Sequence, residues 1–147
     1  MKELKVKKTI TLDAEVAKVW EALTKPNMIK KYMQGIEIVS DWKVGSPILW
    51  IETLKEGEMI QGKGSIEKIE ARKLLQFTTL DMNAQYSDVP SNYVQATYEL
   101  TPKLGKTILS VTQGDYSRVE DGNKRFNEAN ENWNQTLSAL KQFIENR

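Results

Sequence analysis

The chain has 147 residues, 39% of them apolar and 28% charged, with 21 basic and 20 acidic side chains and a formal net charge of +1. This is the balance of one ordinary globular domain over residues 1–147; it excludes a disordered chain, and without a basic excess counterion release gives little drive toward nucleic acid. The absence of both cysteine and histidine removes disulfides, thiolate nucleophiles, Ser-His-Asp and Cys-His catalysis and the usual zinc ligands, so neither a metal nor a cofactor is expected.

Residues 1–8 are charged and lack the apolar run of a signal peptide, and no later stretch approaches the ~20 apolar residues of a membrane span, so a cytoplasmic location is expected by default. Leu4, Val6, Ile10 and Leu12 alternate with Lys5, Lys7, Thr9 and Thr11, which predicts a half-buried strand interrupted by Lys8 on its inner face. Asp13 is expected to cap a short helix whose apolar stripe is Val16, Val19, Trp20 and Leu23, with Glu15 in the first turn. Pro26 ends that helix and can begin a second one through Met28, Ile29, Tyr32 and Met33, closed by Gly35.

From Ile36 onward the hydrophobic period changes to two. Strands are predicted over 36–40, 47–54 and 59–69, the last two joined by a hairpin turn at Lys55, Glu56 and Gly57. Ile60, Gly62, Gly64 and Ile66 would share one face of the 59–69 strand, its two glycines leaving room for something large opposite. A strand at 73–80 is followed by a polar excursion over 81–91 with Met82, Tyr86 and Pro90, a candidate lid. Strands at 93–101 and 106–113 would pair across Pro102 to Gly105; with Thr101 facing Lys106, Val94, Ala96, Tyr98 and Leu100 share a face with Gln113, Val111, Leu109 and Thr107.

The last stretch, 124–147, carries Phe126, Asn130, Trp133, Leu137, Leu140 and Ile144 at alternating gaps of four and three, one face of a helix. Asparagines cost such a helix roughly 0.6 kcal/mol each against alanine, so packing must hold it together. Burial of its five large apolar side chains is worth roughly 8 to 15 kcal/mol before entropy is subtracted. The order is strand, helix, helix, about six antiparallel strands, long helix, and only the last element is long enough to cover the apolar face of the sheet.

The segments VWEALTKP at 19–26, DWKVGSPI at 41–48, GKGSIEKIEARKLLQFT at 62–78 and TYELTPKLGKTILSVTQ at 97–113 carry a family likeness. The chain resembles the SRPBCC superfamily, also called START-like or Bet v-like, and within it the activator of heat-shock-protein-90 ATPase homologue group. The resemblance implies an α+β helix-grip fold, a curved antiparallel sheet of about seven strands wrapped around a long C-terminal α-helix, with two short helices after the first strand. It also implies that the first strand pairs with the last, and that a cavity between sheet and helix holds an apolar small molecule. By position, Tyr32 corresponds to an aromatic often found in the second short helix and Trp133 to a tryptophan near the middle of the terminal helix. The eukaryotic co-chaperones of the family carry a further N-terminal domain that this sequence does not contain, which argues against direct chaperone activation.

Large side chains set against small ones suggest where such a cavity lies: Trp50, Phe77, Tyr98, Phe126 and Trp133 opposite Gly62, Gly64 and Ala96. Asn130, an amide on the buried stripe, requires partners or water and is expected at the pocket border. With Tyr32, Met82, Gln113 and Leu137 these aromatics and Asn130 form the candidate ligand-binding set. Gly62, Lys63 and Gly64 lack the spacing of a phosphate loop, and Glu52 and Glu58 read as solvated charges beside a hairpin. The expected function is noncatalytic binding of a hydrophobic or amphipathic small molecule by a monomer or homodimer. One alternative is a polyketide cyclase or dehydratase-like enzyme, with Tyr98 or Tyr32 as its acid or base. Another is a module that binds a chaperone or other protein through an exposed apolar patch over 82–89.

Overall fold

The computed structural model describes residues 3–82 and 86–146. Its elements are β1 (Val6–Leu12), α1 (Val16–Thr24), α2 (Pro26–Tyr32), β2 (Ile36–Ser40), β3 (Pro47–Leu54), β4 (Gly57–Glu70), β5 (Leu74–Asp81), β6 (Val94–Lys103), β7 (Lys106–Gly114) and α3 (Gly122–Glu145), with single 3-10 turns at Pro90–Asn92 and Tyr116–Arg118. The strands form one seven-stranded antiparallel sheet in the order β1-β7-β6-β5-β4-β3-β2, so the first strand does pair with the last. This is the α+β helix-grip arrangement, with α3 packed on the concave face.

Two bulges bend the sheet, both in β4. Gln61 is the extra residue of one, because Trp50 opposes Gly62 whereas Ile51 opposes Ile60. Glu67 is the extra residue of the other, between the pairs Ile66–Phe77 and Lys68–Gln76. The first bulge corrects the expectation that Ile60 shares a face with Gly62: one inserted residue inverts the alternation, and Ile60 lies exposed on the convex side.

The β6–β7 hairpin is tighter than its sequence suggests. Lys103 pairs with Lys106 and Thr101 with Ile108, so the turn is Leu104 and Gly105 alone, at φ 51° and 82°. Both positive values suit the two-residue turn that matches strand twist, and Pro102 continues the strand opposite Thr107. The register thus differs from expectation by two residues. A shift of two preserves faces, so Val94, Ala96, Tyr98 and Leu100 remain buried on the inner side.

Asp13 does not cap α1. Glu15 occupies the cap position with extended backbone and no side-chain cap, while the Asp13 N–H donates to Glu145 Oε2 at 3.0 Å. Thr107 Oγ1 donates to the Ala14 carbonyl at 2.8 Å in a buried contact, which holds this corner against β7. Pro26 opens α2 at its first turn, where its missing N–H leaves no bond unmade. The core gathers Leu12, Val19, Ala22, Leu23 and Ile29 under Leu137, Leu140 and Ile144 of α3, each large aliphatic there worth roughly 1.5 to 3 kcal/mol of burial. No helix among the described residues is long and apolar enough to cross a membrane.

Candidate ligand cavity

Because alternate residues of a strand face one side, the inner face of the sheet can be followed from β3 to β7 through the register. It presents Trp50, Gly62, Phe77, Thr79, Asp81, Val94, Tyr98 and Gln113 to a cavity of about 350 Å³ beneath the first half of α3. The rings form a continuous wall. Trp50 and Phe77 have centroids 5.3 Å apart, Phe77 meets Tyr98 edge-on at 5.4 Å, and Tyr98 meets Trp133 edge-on at 5.6 Å, within the range where aromatic pairs attract. Gly62 makes room for this wall, since a Cβ there would stand 3.4 Å from the Trp50 indole and 3.3 Å from the Leu80 carbonyl oxygen. Gly64 serves the backbone instead: a Cβ would fall 1.7 Å from the Thr78 carbonyl oxygen.

The roof comes from α3, where Arg125, Glu128, Ala129, Asn132, Trp133 and Thr136 line the cavity at spacings of three and four. The start of this helix is pressed against the preceding 3-10 turn, for a Cβ on Gly122 would lie 2.1 Å from the Tyr116 carbonyl oxygen. Tyr116 and Trp133 are thereby brought to opposite ends of one amide: Trp133 Nε1 donates to Gln113 Oε1 at 2.9 Å, and Gln113 Nε2 donates to the Tyr116 hydroxyl at 2.7 Å. Burial pushes the Tyr116 hydroxyl above the ordinary phenol value and does so more strongly for Tyr98, so both stay protonated.

The far end of the cavity is closed by Tyr86 and by Arg125, whose Nη2 donates to the Asn92 carbonyl at 2.9 Å. Asn92 braces the segment that carries it, with Nδ2 donating to the Ser87 carbonyl and Oδ1 accepting from the Glu120 N–H. Asp88 adds a second anchor, paired with Lys63 of β4 and accepting from the Tyr93 hydroxyl at 2.6 Å. The described part of the candidate lid is therefore tied down; residues 83–85 of that expectation lie outside the described residues. Of the exposed patch expected over 82–89, Met82 and Val89 are exposed whereas Tyr86 turns into the cavity. Among the described residues no group of three or more acidic side chains could hold a metal ion.

Of the candidate binding residues, Trp50, Phe77, Tyr98, Gln113 and Trp133 are brought together here. The other five lie outside the lining. Tyr32 is buried between helices, its hydroxyl donating to the Ala22 carbonyl at 2.6 Å and its ring 5.9 Å from that of Phe143. Phe126 packs on Tyr116 in a satellite cluster with Val6, Val94 and Val119, and Leu137 belongs to the main core. Met82 is exposed, and Asn130 is half-buried.

The lining row of α3 is rotated by one residue from the apolar stripe, so that Ala129 and Asn132 face inward in place of Asn130. Arg125, Tyr116 and Thr79 escaped sequence reasoning, while Tyr86 and Asp81 entered it only as part of the candidate lid over 81–91. The one available signal was the run Arg125, Ala129, Trp133, Thr136, which is helically in phase with the tryptophan.

The profile of the family described as Activator of Hsp90 ATPase homolog 1-like protein matches residues 13–145. None of the curated proteins matches the chain. Among solved structures, ChR145 from Cytophaga hutchinsonii is 34% identical, covering 99% of this chain and 97% of its own, with a TM-score of 0.79. CalU16 from Micromonospora echinospora is 20% identical over 97% of this chain and 76% of its own, at a TM-score of 0.71. The Aha1 dimer from Colwellia psychrerythraea is 19% identical over 97% of this chain and 96% of its own, at 0.73; these last two likenesses show the fold alone. With the profile spanning both the aromatic wall and the helical roof, this chain belongs to the Activator of Hsp90 ATPase homolog 1-like protein family.

Proposed function

We propose that this protein is a noncatalytic carrier or sensor of a hydrophobic or amphipathic small molecule, seated between the sheet and α3. The observation that carries this reading is the cavity of about 350 Å³ walled by Trp50, Phe77, Tyr98 and Trp133. A space of that size holds roughly a dozen waters at ~30 Å³ each, and their release from aromatic surface favours an apolar occupant. It also lies in the size range of pockets that enclose small organic ligands. The bond from Trp133 to Gln113 satisfies the indole N–H, so an apolar ligand against the ring need not supply an acceptor for it.

An enzyme built on the tyrosines is disfavoured. Burial raises both Tyr32 and Tyr98 well above the ordinary phenol range, so neither is a base near neutral pH, and Tyr32 spends its hydroxyl proton on the Ala22 carbonyl. A role toward a chaperone, as the family description names, would use the outer surface, where Met59 and Ile60 are exposed. It would leave the aromatic cavity without a use, and for that reason the small-molecule reading is preferred.

The test is titration with the neutral dye Nile red, alongside native mass spectrometry of protein purified without denaturation. Saturable one-to-one binding that quenches tryptophan emission is expected, together with a small-molecule adduct lost on unfolding. Ala129→Leu, which intrudes into the cavity, should weaken the dye about ten-fold, a loss of ~1.4 kcal/mol. Absence of saturable binding, or a folded Ala129→Leu variant that binds as well as the parent, overturns the proposal.

A further inference from the structure

Arg125 is the one basic group among the described residues that line the cavity, and it is only 6% exposed. No carboxylate among the described residues lies within ion-pair distance of it. Nη2 donates to the Asn92 carbonyl, and the guanidinium carbon lies 4.5 Å from the centre of the Tyr86 ring and 5.7 Å from that of Tyr116. Nη1 is shielded from solvent and has no hydrogen-bond partner among the described residues.

The guanidinium brings a positive charge and only hydrogen-bond donors into this site. The two ring faces offset part of its desolvation. They leave the N–H groups of Nη1 without an acceptor, and buried polar groups in native structures are rarely left so. An oxygen acceptor would satisfy them, and one that carries negative charge would do so most strongly.

We infer that Arg125 is the head-group site of the cavity and that the natural ligand is an amphipathic monoanion, a carboxylate on an apolar body. The inference rests on the small-molecule reading above and narrows it to a charge class. One carboxylate oxygen accepts from Arg125 Nη1. The Tyr116 hydroxyl, which accepts from Gln113 Nε2, keeps its own proton to donate to the ligand. The body then runs along the roof toward Trp133, eight residues on and ~12 Å away at ~1.5 Å per residue, and lies against Tyr98 and Phe77. A single negative charge is favoured over a double one, because Asp81 and Glu128 also line the cavity. Both are exposed side chains whose charge opposes a phosphate monoester more than it opposes a carboxylate.

Displacement of Nile red by decanoate, decanol and decylammonium, equal in chain length and different in head group, tests the assignment. Decanoate should displace the dye from the native protein at a concentration at least ten-fold below either of the others, and Arg125→Gln should abolish that advantage while decanol is unaffected. The comparison on the unmodified protein decides the matter if the variant does not fold. Equal displacement by decanol, stronger displacement by decylammonium, failure of all three, or a decanoate advantage that persists in folded Arg125→Gln overturns the carboxylate assignment and leaves the apolar cavity standing. Failure of Nile red itself to bind removes both readings.

Discussion

A single carboxylate ties the start of the chain to the turn that carries Tyr116. Asp115 Oδ1 accepts from the Ser117 N–H at 2.8 Å and from the Leu4 N–H at 2.9 Å, and these donors hold its carboxyl below the usual range. Glu145 is lowered by Lys141 and the Asp13 N–H, and Asp88 by Lys63 and Tyr93. A pKa lowered by folding means the unfolded state binds protons first as acid is added. The stabilisation is therefore complete above the unfolded carboxylate value of about 4 and disappears as pH falls through the lower folded values. With no histidine to titrate near neutrality, the urea midpoint should be nearly flat from about pH 8 to about pH 5 and fall below about pH 4. Asp115→Ala should lower the melting temperature at neutral pH and shrink the loss on acidification. An unchanged acid slope in that variant would show that the two amide bonds do not stabilise the carboxylate. None of this was visible locally, because Leu4 and Asp115 meet only when β1 closes onto β7.

At the scale of elements, β4 is the strand whose irregularities shape the site. Its glycines look alike in sequence and differ in use. Gly64→Ala forces the β4 and β5 backbones apart, since its Cβ would fall 1.7 Å from the Thr78 carbonyl oxygen; a loss of about 1 to 3 kcal/mol or more is expected. Gly62→Ala meets the Leu80 carbonyl oxygen at 3.3 Å and the Trp50 ring at 3.4 Å, and should be distinctly milder. Urea unfolding of the two variants checks the ranking, and equal midpoints would count against the close strand approach. That glycine makes room for bulk could be read from the pattern around Trp50, and it holds for Gly62 but not for Gly64. Which glycine faces the ring depends on the bulge at Gln61, and a bulge leaves no periodic trace in one strand read alone.

The whole molecule divides along α3. Its second half is sealed into the core by Leu137, Leu140 and Ile144, whereas its first half stands over a cavity with Arg125, Glu128, Asn132 and Trp133 in the lining. Local opening is easier where fewer apolar contacts must be broken. Amide hydrogens over 126–133 are therefore expected to exchange faster than those over 137–144, and occupation of the cavity by Nile red should slow the first group more than the second. Uniform protection along the helix, with or without the dye, would contradict this division.

Hydrophobic periodicity by itself determined the kinds and order of the elements: two-residue alternation for the strands, a three-and-four spacing for the long helix, and the inner face of β6 and β7. It did so because each of these patterns records which side of a local element is dry. Tertiary structure alone decided the tight Leu104–Gly105 turn, the exposed side of Ile60 and the rotation of the α3 lining row toward Arg125. A cavity that carries arginine, asparagine and threonine on its roof has the same local pattern as a solvent-facing helix. Only the approach of Asn92, Tyr86 and Tyr116 from distant parts of the chain turns that polar row into the wall of a cavity.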